Sequence, residues 1–212
     1  MYDILKGKTL VAIGDSLFEG NKLGNAATWV NKMERYGMTV YNYGKNGNTM
    51  AKQEKETKVP PMCERYAQMQ DGADYVVVLG GANDKRLSIP LGENDSTDPT
   101  TFKGALRQMI LGLTAKYPKA KILFMTNYNR WPSKNELGIS DIDYVLAMEE
   151  ICRIYSIPCF NNYYNAGISF HNPAQSCWID EGLVLGINEN RHFSNEAYDW
   201  LLPKYAALLA AL

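Results

Sequence analysis

The chain has 212 residues, of which 46% are hydrophobic, and its 22 basic side chains nearly balance 23 acidic ones. This length suits a single domain over residues 1–212, and the balanced charge argues against a nucleic-acid partner. No apolar run approaches the roughly 20 residues that span a bilayer, so we expect no membrane span. The first residues lack a signal-peptide pattern, which predicts a cytoplasmic protein, or a secreted one or part of a larger protein if a targeting segment has been removed.

Five short apolar runs predict β-strands. Within each run, apolar residues do not alternate with polar ones, which indicates strands buried on both faces, as in a parallel sheet. In chain order the predicted strands are Lys8–Gly14, Met38–Tyr43, Tyr75–Leu79, Lys121–Thr126 and Ile157–Phe160.

Helical patterns lie between and after these strands. They cover Ala26–Tyr36, a weaker segment Pro61–Met69, Thr101–Tyr117, Ile142–Tyr155, and Asn195–Leu212 with Ser194 as its N-cap. Alternation of strands and helices predicts a three-layer α/β sandwich around a parallel sheet. In such folds ligands bind beyond the carboxyl ends of the strands, so functional residues should follow the strands directly.

Polar segments containing glycine follow the first three predicted strands: Gly14-Asp15-Ser16, residues 42–49 and residues 80–84. Gly14-Asp15-Ser16 fits either a turn that caps a helix or a strand end that presents a serine nucleophile. A serine nucleophile needs a base to accept its proton and fixed donors for the oxyanion. Glycine N–H groups and an asparagine amide can supply those donors, so the three segments favour acyl transfer.

The two histidines are the candidate bases. His171 has no acidic residue shortly before it and fits an ordinary loop histidine. His192 precedes the last predicted helix, and Glu189 stands three residues earlier, a spacing that can place a carboxylate on the imidazole Nδ1. His192 also fits an ordinary residue near a helix N-terminus.

The four cysteines, Cys63, Cys152, Cys159 and Cys177, form no C-x-x-C pair, so we expect reduced and mostly buried thiols. With only two histidines in the chain, no metal site is expected.

Together the polar segments resemble the sequence blocks of the SGNH hydrolase superfamily, the GDSL-type esterases and lipases. The nucleophile block matches Gly14-Asp15-Ser16-Leu17, the second block matches Asn42 with Gly47-Asn48-Thr49, and the third matches Gly81-Ala82-Asn83-Asp84. His192 fits the last block, Asp-x-x-His. The resemblance runs from residue 10 to residue 205.

This resemblance implies a three-layer α/β/α sandwich with a flavodoxin-like, five-stranded parallel sheet. It also implies that Ser16 is the nucleophile and His192 the base. The oxyanion hole is then formed by the backbone N–H groups of Ser16 and Gly47 and by the Asn83 amide, with Gly44 a less favoured alternative to Gly47. Asp15 is expected to hold the loop through backbone hydrogen bonds.

The catalytic acid departs from the family pattern. Glu189 stands where the family usually has aspartate, and Asp180 could serve instead if residues 183–191 loop out. A third alternative is a Ser-His dyad supported by backbone carbonyls.

The family implies an ester substrate and no cofactor or metal. No amphipathic lid is visible, and we expect the loops Asp95–Thr101 and Asn127–Ser140 to form cleft walls. The aromatic residues expected near the cleft include Trp131 and Trp178 as substrate-binding candidates, together with Tyr128, Tyr163 and Tyr164. Flat aromatic faces suit sugar rings, although plain packing is an equal explanation.

The sequence therefore predicts a serine esterase that removes short acyl groups, such as O-acetyl, from a small-molecule or carbohydrate ester. Alternatives are a lysophospholipase or thioesterase type of acyl hydrolase and a catalytically silent carbohydrate-binding module on the same fold. A flavin- or nucleotide-binding domain is disfavoured, because no phosphate-cradling glycine motif follows the first strand.

Overall fold

The computed structural model describes residues 2–53, 59–130, 133–179 and 192–212. Its five strands are β1 (Thr9–Gly14), β2 (Thr39–Gly44), β3 (Tyr75–Leu79), β4 (Lys121–Met125) and β5 (Cys159–Phe160). They form one parallel sheet in the order β2-β1-β3-β4-β5. The predicted α/β fold with a five-stranded parallel sheet is confirmed.

Eight α-helices lie within the described ranges. They are α1 (Ser16–Glu19), α2 (Trp29–Lys32), α3 (Met62–Arg65), α4 (Ala82–Arg86), α5 (Phe102–Lys116), α6 (Asp141–Ile154), α7 (Asn162–Asn165) and α8 (Asn195–Ala211). Short 3₁₀ segments cover Asp3–Leu5, Asn21–Leu23, Asn25–Ala27, Met33–Tyr36, Tyr66–Gln68 and Pro173–Trp178. Across these described ranges, no helix is long and apolar enough to cross a bilayer.

The predicted helix Ala26–Tyr36 is wrong as a single element. Thr28 is extended, with φ −75° and ψ 151°, and its hydroxyl caps the helix α2 by accepting from the Asn31 N–H at 3.4 Å. Thr28 therefore separates the 3₁₀ segment Asn25–Ala27 from α2, because a β-region N-cap residue cannot continue a helix. After α2 the chain passes directly into the 3₁₀ segment Met33–Tyr36.

The core lies on both faces of the sheet. Along β1, Leu10 and Ala12 pack on the side of α1, α2 and α8, whereas Val11 and Ile13 pack on the side of α3, α5 and α6. Alternate residues of a strand point to opposite faces, so a continuous apolar run fills both layers. The central strand β3 is buried along its whole length.

Burial on both faces does not extend to the sheet edges, where the sequence prediction is wrong. In β2, Thr39 and Tyr41 are exposed, and both residues of β5 are only partly buried. Each of these strands is an edge of the sheet with one neighbour, and the helical layers cover the edges less completely.

Gly44 ends β2 and allows that strand to pack closely on α1. A Cβ added at Gly44 would lie 2.3 Å from the backbone nitrogen of Glu19 and 2.4 Å from the carbonyl carbon of Phe18. Backbone atoms cannot move aside as a side-chain end can, so any larger residue must shift α1. This contact gives Gly44 a packing role.

We expect Gly44→Ala to lower the free energy of unfolding by about 1–3 kcal/mol, the usual cost of overpacking. Urea denaturation measures the change. Gly24→Ala is the control: its added Cβ meets no atom within 4 Å, and only the φ of +77° is unfavourable. A Gly44→Ala protein as stable as the wild type would show that α1 does not pack on β2 this closely.

Candidate active site

The sheet brings the predicted site residues to one edge. Gly14 at the end of β1 pairs with Gly44 at the end of β2, and Ile13 pairs with Val78 of β3. Since these strands are parallel and in register, the segments that follow them leave the sheet side by side. Ser16, Gly47 and Asn83 consequently line one cleft.

Ser16 is the first residue of α1 and is almost buried, with 7% of its surface exposed. Asp15 is the N-cap of this helix, and its Oδ1 accepts a hydrogen bond from the Leu17 N–H at 2.9 Å. This geometry confirms the expected backbone hydrogen bonding by Asp15. Burial raises the pKa of the Asp15 carboxyl, and the charge of Arg130 and the Leu17 N–H oppose that rise.

His192 Nε2 lies 2.8 Å from Ser16 Oγ, although the two residues are 176 positions apart in the chain. The neighbours of His192 fix its backbone. Phe193 forms an antiparallel bridge with Ile179, and the Ser194 side chain caps α8 by accepting from the Ala197 N–H at 3.2 Å, as predicted. A nucleophile and a base at hydrogen-bond distance are the basic unit of nucleophilic catalysis.

The two candidate acids, Glu189 and Asp180, lie outside the described residues. The other histidine, His171, pairs its Nε2 with Asn129 Oδ1 at 2.9 Å. His171 is not among the described residues that line the cleft, which agrees with its interpretation as a loop histidine.

Asn83 lies in α4, and its amide is oriented by two contacts. Its Nδ2 donates to the Asn48 carbonyl at 3.1 Å, and its Oδ1 accepts from Arg86 Nε at 3.2 Å. Gly47, with φ +72°, lies in the loop that carries this Asn48 carbonyl. Two of the three predicted oxyanion donors, Gly47 and Asn83, are thus linked through Asn48.

Asn42 has a supporting position under the nucleophile helix. Its Nδ2 donates to the Phe18 carbonyl at 2.6 Å and to Asn31 Oδ1 at 2.7 Å, while its Oδ1 accepts from the Gly44 N–H at 2.9 Å. These contacts join α1, α2 and β2, so Asn42 holds α1, the helix that carries Ser16, on the sheet.

Asp84 anchors the loop that carries Gly47, a role that sequence reasoning missed. The Asp84 carboxyl is fully buried and accepts from the backbone N–H groups of Met50 and Ala51, each at 3.0 Å. Burial raises its pKa to about 7, and these two hydrogen bonds act in the opposite direction. The sequence signal that could have indicated this role is that Asp84 directly follows Asn83.

The shifted pKa of Asp84 predicts a pH dependence of stability. Because the folded state holds this proton more tightly than the unfolded state, the free energy of unfolding should fall as pH rises from about 4 to about 7. Raising the pKa to about 7 corresponds to a change in the free energy of unfolding of as much as about 4 kcal/mol across this pH range.

Asp84→Asn removes this titration and leaves one backbone N–H without an acceptor. We expect it to lose about 1–3 kcal/mol at pH 5 and to flatten the pH dependence between pH 4 and 7. Urea unfolding at several pH values measures both effects. Parallel pH profiles for wild type and variant would refute the assignment to Asp84.

The cleft has a volume of about 350 Å³. Among the described residues, the side chains that line it are polar or charged except for Gly47 and Ala82. The lining residues are Ser16, Asn21, Asn46, Gly47, Ala82, Asn83, Lys85, Arg86, Asn127, Arg130, Asp141 and His192. The predicted cleft wall 127–140 contributes Asn127 and Arg130 to this lining, and Asp141 lies directly after it. The other predicted wall, 95–101, contributes no residue to the described lining.

Four of the aromatic residues expected at the cleft, Tyr128, Tyr163, Tyr164 and Trp178, are not among the described residues that line it. Tyr128 is buried in the core, where its hydroxyl lies 2.6 Å from that of Tyr205. Trp178 packs on Trp200 of α8, with ring centroids 5.7 Å apart, and it is not among the described cleft residues. The prediction that Trp178 binds substrate therefore finds no support in its placement.

Tyr163 and Tyr164 pack edge to face on each other, with centroids 5.4 Å apart, and neither is among the described cleft residues. Trp131 lies outside the described residues. The part of the cleft that the structure describes therefore presents amides and charges, rather than a flat aromatic platform.

All four cysteines are free, with Cys63 and Cys152 buried, Cys159 partly buried and Cys177 exposed. Two of the four thiols are therefore buried, fewer than the sequence predicted. Over the described ranges of the chain, no group of three or more His, Cys, Asp or Glu side chains is arranged to hold a metal ion.

Residues 12–200 match the model of the GDSL-like lipase/acylhydrolase family. No curated protein matches the sequence significantly. A solved protein from Lactobacillus plantarum shares 25% identity over 97% of this chain and 98% of its own, with a TM-score of 0.81.

Two more distant structures have named activities. A carbohydrate acetylesterase from Sinorhizobium meliloti is 16% identical over 96% of this chain and 99% of its own, with a TM-score of 0.65. An aryl esterase from M. smegmatis is 16% identical over 97% of this chain and 100% of its own, with a TM-score of 0.67. At this identity, both show a shared fold.

Proposed function

Because this chain belongs to the GDSL-like lipase/acylhydrolase family, whose members are ester hydrolases, we propose that it is a serine esterase for short acyl groups. The observation that carries the proposal is the 2.8 Å hydrogen bond between Ser16 Oγ and His192 Nε2. Both atoms belong to residues that line a cleft at the carboxyl edge of a parallel sheet, where ligands of such folds bind.

In the proposed mechanism, His192 Nε2 accepts the Ser16 proton while Oγ attacks the ester carbonyl carbon. The oxyanion of the tetrahedral intermediate is held by the N–H groups of Ser16 and Gly47 and by the Asn83 amide. His192 then gives its proton to the leaving alcohol, and the acyl group remains on Ser16. Water, activated by the same imidazole, releases the acid and restores the serine.

A carboxylate on Nδ1 of His192 would fix the tautomer and stabilise the imidazolium. Glu189 and Asp180 both remain candidates for this role. Comparing Glu189→Ala with Asp180→Ala distinguishes them, since the variant that removes the acid should lose the larger part of kcat.

The lining of the cleft supports a small or polar acyl group. A long acyl chain needs an apolar wall, because each CH₂ group that leaves water contributes about 0.8 kcal/mol. Among the described lining residues, Ala82 has the only apolar side chain. This composition favours acetyl over octanoyl esters and disfavours a lysophospholipase type of substrate.

A carbohydrate is the alcohol part that we propose. The polar lining, with several asparagine amides, suits a hydroxyl-rich ligand because amides donate and accept hydrogen bonds. The shared fold with the Sinorhizobium meliloti carbohydrate acetylesterase is consistent with this substrate.

The test measures hydrolysis of p-nitrophenyl acetate, butyrate and octanoate, together with acetate release from acetylated xylooligosaccharides. We expect acetate to be the best p-nitrophenyl ester and the sugar acetates to release acetate. A fluorophosphonate should stop the reaction and add its mass to the peptide that contains Ser16. No hydrolysis of any ester, with no adduct on Ser16, would reject the proposed function.

A further inference from the structure

Arg130, in the segment that follows β4, is among the residues that line the cleft. Its Nε and Nη2 atoms are buried and have no hydrogen-bond partner, and its guanidinium carbon lies 5.7 Å from the Phe170 ring centroid. Buried donors without an acceptor are costly. An anion in the cleft that draws the guanidinium outward would give these donors an acceptor and relieve this cost.

Asp15 is the buried carboxylate that interacts electrostatically with Arg130. Its Oδ2 also has no hydrogen-bond partner, so the two groups attract each other without forming a hydrogen bond. Asp15 therefore helps to hold the Arg130 guanidinium in place without accepting a hydrogen bond from the Nε or Nη2 of Arg130.

Arg86, from α4, brings a second guanidinium to the same cleft. The residue is exposed, and its Nε donates to Asn83 Oδ1 at 3.2 Å. Its Nη2 lies 3.8 Å from the position that a Cβ on Gly47 would occupy. The Arg86 guanidinium thus extends from Asn83 toward Gly47, two of the predicted oxyanion donors. It lies beside the place where the ester would react.

The described part of the cleft has more positive than negative side chains. Lys85, Arg86 and Arg130 line it, with Asp141 as the one acidic residue among the described lining. Lys85 Nζ donates to Ser133 Oγ at 2.8 Å, and Asp141 accepts from Asn127 Nδ2 at 3.3 Å. The whole chain has a formal charge of −1, so the excess is local, and a cleft concentrates such a field.

We propose that this cleft selects esters that also carry an anionic group, a carboxylate, sulfate or phosphate, which binds Arg86 and Arg130. The inference rests on the proposed esterase function and names its substrate class more closely. Arginine suits this role because its planar fork of N–H groups matches the oxygens of such anions. A neutral acetyl ester lacks the paired, charged oxygens that match this fork, so it would interact with these donors more weakly.

The test compares anionic esters with neutral counterparts of similar shape. On the alcohol side the pair is 4-acetoxybenzoate and 4-acetoxybenzamide. On the acyl side it is the mono-4-nitrophenyl ester of adipic acid and its methyl ester. We expect kcat/KM to favour the anionic member of at least one pair by about tenfold or more, mainly through KM, and salt to reduce this preference.

Arg86→Gln and Arg130→Gln should each reduce the anionic-to-neutral ratio by about tenfold, while Arg130→Lys keeps part of it. Arg107→Gln is the matched control, because Arg107 donates to the Asp95 carbonyl and is not among the described cleft residues. Arg86 also contacts Asn83, so the ratio rather than the absolute rate is the relevant readout. Equal losses on both members of a pair would overturn the proposal.

A binding measurement keeps the two proposals separate. Calorimetry with Ser16→Ala should show 4-acetoxybenzoate binding more tightly than 4-acetoxybenzamide, by about tenfold, whether or not the wild type turns either ester over. Hydrolysis of neutral esters without any anionic preference, and equal binding of the two ligands, would reject the anion site alone. Failure to hydrolyse any ester would reject the esterase function, and the binding data would still decide this inference.

Discussion

Alanine in place of Ser16, of His192 or of both should lower kcat for p-nitrophenyl acetate by a similar amount, on the order of 10⁴-fold or more. The reason is the 2.8 Å contact between Ser16 Oγ and His192 Nε2, since neither residue can perform the proposed step without the other. The double variant should therefore be little worse than either single one. Initial rates at saturating ester measure the loss.

His171→Ala is the matched control for His192→Ala. His171 is the other histidine, and its Nε2 contacts Asn129 Oδ1, so we expect kcat within a few-fold of the wild type. Thermal unfolding of each variant checks that the loss is not one of folding. If the single losses at Ser16 and His192 multiply in the double variant, the two residues do not act as a unit.

Asn83→Ala should lower kcat by about 10²–10³-fold and change KM little, because an oxyanion donor contributes mainly in the transition state. Asn83→Asp is the sharper variant, since it keeps the size of the side chain and the oxygen that Arg86 contacts but removes the amide donor. Asn83→Asp should lose at least as much activity as Asn83→Ala, because its carboxylate would also repel the oxyanion.

Asn94→Ala provides the control for a general effect of losing an amide. Asn94 contacts Glu150 and Lys103 and is not among the described cleft residues, so its kcat should match the wild type. A rise in KM for Asn83→Asp with unchanged kcat would instead assign Asn83 to ground-state binding.

The centre of the sheet was predictable because its inner strands, β1, β3 and β4, are apolar on both faces. Tyr75–Leu79 has the predicted bounds in the structure. All five of its residues are buried, so the apolar run in the sequence coincides with the strand. The short helices α1, α4 and α7 have four or five residues each. Such helices are too short to be stable alone, so tertiary contacts form them and no periodic pattern marks them.

The candidate site was predictable in part. Ser16, Gly47, Asn83 and His192 were identified from short motifs, but the contact across 176 residues was implied by the family resemblance rather than by local pattern. Arg86 and Arg130 were missed, because a charged residue in a loop or short helix has the same sequence appearance as a solvated one. The Arg86 side chain is oriented by its contact with the Asn83 oxygen, and the Arg130 side chain by its contact with the Phe170 ring. Neither contact is visible in the sequence.

The bridge between Ile179 and Phe193 and the cap of α8 have a consequence for biosynthesis. A ribosome makes Ser16 early, whereas His192 takes its position next to a bridge and a helix that are made 160 or more residues later. The nascent chain therefore carries its candidate nucleophile without a partner while the residues between Ser16 and His192 are made. Esterase activity should arise only after α8 has left the exit tunnel.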